Sequence, residues 1–176
     1  AAQSARQAGS TFKTFVLASA IEKGIDPDTT YYTSAPFTCY TGPWCLGDAQ
    51  QGKPWHVETY DHSYLGSVSI TRATLSSDNT VYAQLTLDVG PDYVWRMANR
   101  LGVHLTQGPV PSMGLGSLDV TPLDMAAAYA TFASGGIYAK PMAITKVILP
   151  GGKVDHDAGW GKPQTKRAVS QGVAWK

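Results

Sequence analysis

Residues 10 to 23 are the stretch that most limits what this chain can fold into. The run Ser10-Thr11-Phe12-Lys13-Thr14-Phe15-Val16-Leu17-Ala18-Ser19-Ala20-Ile21-Glu22-Lys23 is apolar around most of a helical circumference, with Phe12, Phe15, Val16, Leu17, Ala20 and Ile21 spread over its faces. A helix of that kind belongs in an interior. Ser10 is a preferred first residue for it, and Gly24 a natural stop. The same helix carries Ser10 and Lys13 on one stripe, because residues three apart share a face. A buried ammonium is costly without a partner, so the fold has to supply one. A serine hydroxyl becomes a nucleophile when a neighbouring base takes its proton, and a lysine with a destabilised ammonium can be that base. The helix start adds N–H groups and a positive dipole end beside the attacking oxygen. The segment therefore predicts acyl-serine chemistry. The spacing also fits a capping Ser10 with a solvated Lys13, and about half to one Ser-x-x-Lys match is expected by chance in such a chain.

A second element lies downstream at Ser76-Ser77-Asp78-Asn79-Thr80, between Gly66–Leu75, read as a short helix, and a helical stretch from Val81 to Val89. Ser and Asn between helices are commonly caps and turn formers. Taken together, Ser10-x-x-Lys13 and Ser77-Asp78-Asn79 resemble the first two motifs of the penicillin-recognising serine acyltransferases. The likeness runs further. Arg6-Gln7-Ala8-Gly9-Ser10-Thr11-Phe12-Lys13 is similar to the Arg-Gln-Pro-Gly-Ser-Thr-Phe-Lys run of the class A (bifunctional) penicillin-binding proteins, with Ala8 where Pro is usual. Ser77-Asp78-Asn79-Thr80-Val81, Val89-Gly90-Pro91, Ala98-Asn99-Arg100-Leu101-Gly102-Val103 and the run from Leu115 to Gly136 resemble the same group. The match covers most of the chain and is weakest between about Thr29 and Asp61.

The resemblance implies an α+β transpeptidase fold, of the serine β-lactamase type, with this chain covering mainly its helical part. It implies that Ser10 attacks the penultimate D-alanine carbonyl of a peptidoglycan stem peptide, or a β-lactam carbonyl, with Lys13 as base. Another group competes for the base role in relatives of this fold. Ser77 would relay a proton to the leaving group. Asn79 would hold Lys13 and the substrate amide, and Thr80 would join Ser10 and Asn79 in binding substrate. Part of the oxyanion hole would come from the Ser10 N–H.

The family's third motif, Lys-Thr-Gly or Lys-Ser-Gly, does not occur: Lys140, Lys146, Lys153, Lys162 and Lys166 are followed by Pro, Val, Val, Pro and Arg, and Lys176 is last. The family places that strand after a helix that would begin near Val169-Ser170-Gln171. Residues 1–176 thus read as a single, partial transpeptidase domain whose remaining wall, a partner in the parent protein, could be needed for activity. The same fold also hosts D,D-carboxypeptidases and serine β-lactamases. Glu58, besides Glu22 the only Glu between the motifs, is not in a recognisable loop for activating a deacylating water. A non-catalytic β-lactam- or wall-binding fragment is the third class.

Composition agrees with a packed domain, at 43% hydrophobic residues in 176. A net charge of +1 gives no overall footprint for nucleic acid or an anionic membrane. No apolar run reaches the roughly 18 residues of a spanning helix. Anchoring at the extracytoplasmic face of a bacterial membrane would then come from a segment outside this chain. His56, His62, His104 and His156 lack metal-ligand spacing, so no metal and no cofactor is expected.

Gly42-Pro43 is a turn that can bring Cys39 and Cys45 together. An extracytoplasmic setting favours a disulfide there, with a pair of reduced thiols as the competing state. Trp44, Trp55 and Tyr60 could floor a peptide groove or pack their loop onto the domain. Tyr82 and Trp95 sit at helical spacing and read as core. Pro91–Leu101 predicts a helix, as does the stretch after Thr121, ended by Gly135-Gly136 and tightly packed over Ala126–Phe132. Ile144–Leu149 predicts a strand, Pro150–Lys153 a turn, and Asp155–Lys166 a loop.

Overall fold

A computed structural model describes residues 2–40, 42–45, 54–155 and 160–176. Among these residues helices dominate. They are α1 (Lys13–Glu22), α2 (Ile70–Leu75), α3 (Asn79–Val89), α4 (Pro91–Arg100), α5 (Pro122–Ala133) and α6 (Gln171–Trp175). The strands are short and form antiparallel pairs: β1 (Arg6–Gln7) with β6 (Asp119–Val120), β2 (Tyr31–Ser34) with β5 (Gly66–Ser69), β3 (Phe37–Cys39) with β4 (Trp55–Val57), and β7 (Ile137–Ala139) with β8 (Thr165–Arg167).

The core lies where α1 crosses α3 and α4. Phe12, Phe15 and Val16 from α1 and the turn before it pack with Ile70, Tyr82, Leu85, Val94, Met97 and Leu101, all fully buried. Phe12 and Phe15 meet edge to face with ring centroids 4.8 Å apart, the geometry aromatic quadrupoles favour. The expectation of a buried first helix holds. Tyr82 is fully buried as expected, whereas Trp95 is half-buried and its indole donates to the Gln107 carbonyl at 2.9 Å.

Capping explains most helix starts. Asp78 accepts from the Thr80 and Val81 N–H groups, Thr121 from Asp124 and Ser170 from Val173, so each side chain satisfies an orphan donor of the first turn. The helix expected near Val169-Ser170-Gln171 is α6. Gly102, Gly24 and Gly135-Gly136 follow α4, α1 and α5 with positive φ.

Five expectations are corrected. Ser10 is not a helix cap but the second residue of a 3-10 turn, Gly9–Phe12, that leads into α1. Gly66–Leu75 is half strand: Gly66–Ser69 pairs with β2, and the helix begins only at Ile70, capped by Ser69. Ile144–Leu149 forms no strand. Its only pairing among the described residues is an isolated bridge from Ile148 to Val154 around the expected turn, so Ile148 stays 61% exposed. The helix α5 buries only Ala128 and Thr131 fully and leaves Ala126, Tyr129 and Ala130 exposed. Uniformly small apolar residues carry no periodic signal, and burial on one face was not readable from them. Of the Asp155–Lys166 loop, residues 156–159 lie outside the described residues, and Thr165 and Lys166 belong to β8.

Candidate active site

The turn that carries Ser10 is held from behind by backbone. The Gly9 N–H donates to the Gly116 carbonyl at 3.1 Å, next to the β1–β6 pair. A Cβ on Gly116 would sit 1.9 Å from the Gly9 carbonyl oxygen, so only glycine fits there. From the α5 side, the Tyr129 hydroxyl donates to the Thr11 carbonyl at 2.9 Å and lies 2.8 Å from Thr14 Oγ1. Ser10 is thereby presented, exposed, at the mouth of a cleft of about 540 Å³.

Lys13, one turn on, is the buried charge the sequence foretold, with 5% of its surface exposed. Its Nζ donates to the Ser77 carbonyl at 2.6 Å, to Ser77 Oγ at 3.0 Å and to Asn79 Oδ1 at 2.8 Å. An ammonium has three N–H bonds, and these contacts use all three. The Tyr82 ring adds a face 5.4 Å below it. Burial lowers the Lys13 pKa from 10.5 to about 8, and the Asp78 carboxylate opposes that by favouring the charged form.

Ser77 meets Lys13 with both its oxygens because its backbone is left-handed, at φ +53°. A non-glycine residue held there carries about 1–2 kcal/mol of strain. Flanking bonds hold it: Ser77 N–H to the Thr74 carbonyl at 3.0 Å and Asp78 N–H to the Ala73 carbonyl at 2.9 Å. Asp78 is buried and joins cap to cleft, accepting from Thr80 Oγ1 and Ser34 Oγ as well as from α3.

The cleft thus brings Ser10, Ser77 and Asn79 together, with Lys13 bonded to the latter two. Thr80 does not join them. It is fully buried and its hydroxyl serves Asp78, which leaves it nothing to offer a substrate. Sequence reasoning named only Tyr60 of the cleft's outer wall and missed Thr59, Asp61, Ser63 and Leu65. It also missed the Glu58 carbonyl, which accepts from Asn79 Nδ2 at 3.2 Å and carries no side-chain signature. Of the three aromatic candidates, Tyr60 lines the cleft and is 98% exposed, Trp55 is buried, and Trp44 faces a separate small cavity with the cysteines. Cys39 and Cys45 are disulfide-bonded, with Cα atoms 5.1 Å apart, and pack with Trp55, Val57 and Ala83.

The model of the penicillin-binding protein transpeptidase domain matches residues 1–176. The chain belongs to this family. It is 32% identical over 155 residues to penicillin-binding protein 1A of Neisseria lactamica, a match spanning 88% of this chain and 18% of that protein. PonA1, a penicillin-binding protein of Mycobacterium tuberculosis, superposes with a TM-score of 0.82 at 29% identity, over 98% of this chain and 46% of that one. Penicillin-binding protein A of M. tuberculosis, solved as a penicillin G acyl-enzyme, gives 0.82 at 27% identity over 99% and 42%. The chain therefore has the α+β fold of penicillin-binding-protein transpeptidase domains, and spans less than half the length of these relatives. Among the described residues no helix is long and apolar enough to cross a membrane.

Proposed function

We propose that this chain is the nucleophile-bearing region of a D,D-transpeptidase that cross-links peptidoglycan stem peptides through an acyl-serine intermediate on Ser10. The observation that carries this reading is the buried Lys13 ammonium, one turn from Ser10 and bonded to Ser77 and Asn79, with a pKa brought down to about 8. As an ammonium Lys13 has no lone pair, so the reactive form is the neutral amine, which keeps two donor contacts and frees one acceptor.

Ser10 Oγ attacks the penultimate D-alanine carbonyl, and its proton passes to Lys13 Nζ. The carbonyl electrons move onto oxygen, toward the Ser10 N–H. As they return, the C–N bond breaks, and the departing D-alanine nitrogen takes a proton from Ser77 Oγ, which Lys13 restores. An amine of a neighbouring stem peptide then attacks the acyl carbonyl and gives up its proton to Lys13. The bond to Ser10 Oγ breaks and the serine regains a proton. One D-alanine leaves and one cross-link forms. Asn79, with Nδ2 tied to Glu58 and Oδ1 to Lys13, orients the lysine and borders the substrate amide.

β-Lactams would acylate Ser10 in the same way, as the penicillin G acyl-enzyme of the M. tuberculosis relative suggests. The opposite cleft wall would come from other parts of the domain, because no Lys-Thr-Gly or Lys-Ser-Gly occurs in these residues. The disulfide supports an extracytoplasmic site of action. The test is the intact mass of the protein after incubation with benzylpenicillin. A single adduct on the wild type that is missing from Ser10→Ala supports the reading, and its absence from the wild type overturns it for this chain.

A further inference from the structure

The cleft's charge is one-sided. Among the described residues its lining includes two carboxylates, Asp61 and Asp78, and no lysine or arginine. Lys13 is buried beside it with its N–H bonds already taken. Asp78 is buried too, and its oxygens serve Thr80, Val81 and Ser34. Asp61 differs. It is solvated, no lysine or arginine pairs with it among the described residues, and it shares the cleft with Ser10.

Its loop is fixed in place. Asp61 Oδ1 accepts from the Ser63 N–H at 3.2 Å and from Ser63 Oγ at 2.8 Å, while Thr59 Oγ1 donates to the Ser63 carbonyl at 2.8 Å. The preceding residue, Tyr60, presents a ring that is 98% exposed. A carboxylate next to an open aromatic residue, on a wall with no lysine or arginine among the described residues and with the neighbouring His62 imidazole paired to Glu58 at 3.2 Å, suits a primary ammonium: the carboxylate attracts it and the ring quadrupole holds it.

We infer that Tyr60 and Asp61 form a subsite for a primary ammonium on one of the two stem peptides, an inference that rests on the transpeptidase reading of the cleft. The ammonium belongs either to the acyl donor or to the incoming acceptor before it loses its proton.

Two arms separate these sources. Acylation rates with benzylpenicillin and with aminobenzylpenicillin, which share a scaffold and differ by one ammonium, read the donor side. The ratio of aminolysis to hydrolysis of a thioester-derived acyl-enzyme, with D-alaninamide as acceptor, reads the acceptor side. Asp61→Asn keeps an oxygen for Ser63 and removes the charge. It is expected to lower one of the two ratios by about threefold to tenfold, and Tyr60→Leu to lower the same one less. In the wild type that ratio should also fall as salt is raised, because the site is exposed. Both ratios unchanged by Asp61→Asn and by salt would overturn the subsite while leaving Ser10 acylation, and so the transpeptidase reading, intact. Absence of any acylation in the wild type would remove both.

Discussion

Gly116 and Gly9 touch through their backbones: the Gly9 N–H donates to the Gly116 carbonyl at 3.1 Å, and a side chain on Gly116 would meet the Gly9 carbonyl at 1.9 Å. The contact sits one residue before the nucleophile, so it sets where Ser10 stands. Gly116→Ala should push the turn forward and add strain at φ +82°. A shift near 1 Å at a reacting atom costs about 100-fold in rate, and overpacking costs about 1–3 kcal/mol of stability. Acylation by a fluorescent penicillin, with a melting curve alongside, measures both. An unaltered acylation rate would show that the contact does not position Ser10.

Ser77 separates chemistry from strain. Ser77→Ala and Ser77→Gly both remove the hydroxyl and should both slow acylation by about 100-fold or more, the usual worth of a positioned proton relay. Only glycine relieves the left-handed backbone, so Ser77→Gly should be more stable than Ser77→Ala by about 1 kcal/mol. Denaturant midpoints of the two variants decide it.

Lys13 makes acylation depend on pH. Because its neutral form is the base and its pKa lies at about 8, the rate should rise with pH through that value and level off above it. The stability consequence has a definite sign. Between about 8 and 10.5 the unfolded chain holds a proton that the folded one has lost, so stability rises with pH through that window. Lys13→Met should abolish acylation and remove this part of the pH dependence of the unfolding midpoint.

Asp78 favours the charged form of Lys13. Asp78→Asn should therefore move the acylation profile to lower pH, whereas an electrostatically silent cap would leave it in place. The variant keeps one cap acceptor for α3, so its melting point should fall only modestly.

The disulfide closes a short loop, for which chain entropy predicts about 2–3 kcal/mol. Reduction, or Cys39→Ser with Cys45→Ser, should lower the melting temperature correspondingly. An equal melting temperature with and without reductant would show that packing around Trp55 suffices.

Much of the site is legible in the sequence because its signals are local. The Ser10–Lys13 spacing, the all-round apolar character of α1, the proline and threonine that open α5 and the glycines after the helices are properties of neighbouring residues. The elements that sequence misplaces share a cause. Strand Gly66–Ser69 exists because Tyr31–Ser34 lies beside it, and Ile144–Leu149 lacks such a partner among the described residues, though its alternation resembles a strand. Thr80 stands in a motif associated with substrate but faces inward, which depends on how Asp78 caps α3.

By itself, then, the sequence determined that a serine would stand three residues before a lysine at the entry to a buried helix and that a Ser-x-Asn element would follow. Backbone propensity and burial settle such matters over a few residues. Tertiary structure alone decided that the lysine turns to Ser77 and Asn79, that Gly116 backs the nucleophile, and that Tyr60 and Asp61 wall the cleft. Those contacts join residues far apart in the chain, and their energies exist only once the core has brought α1, α3 and the loops together.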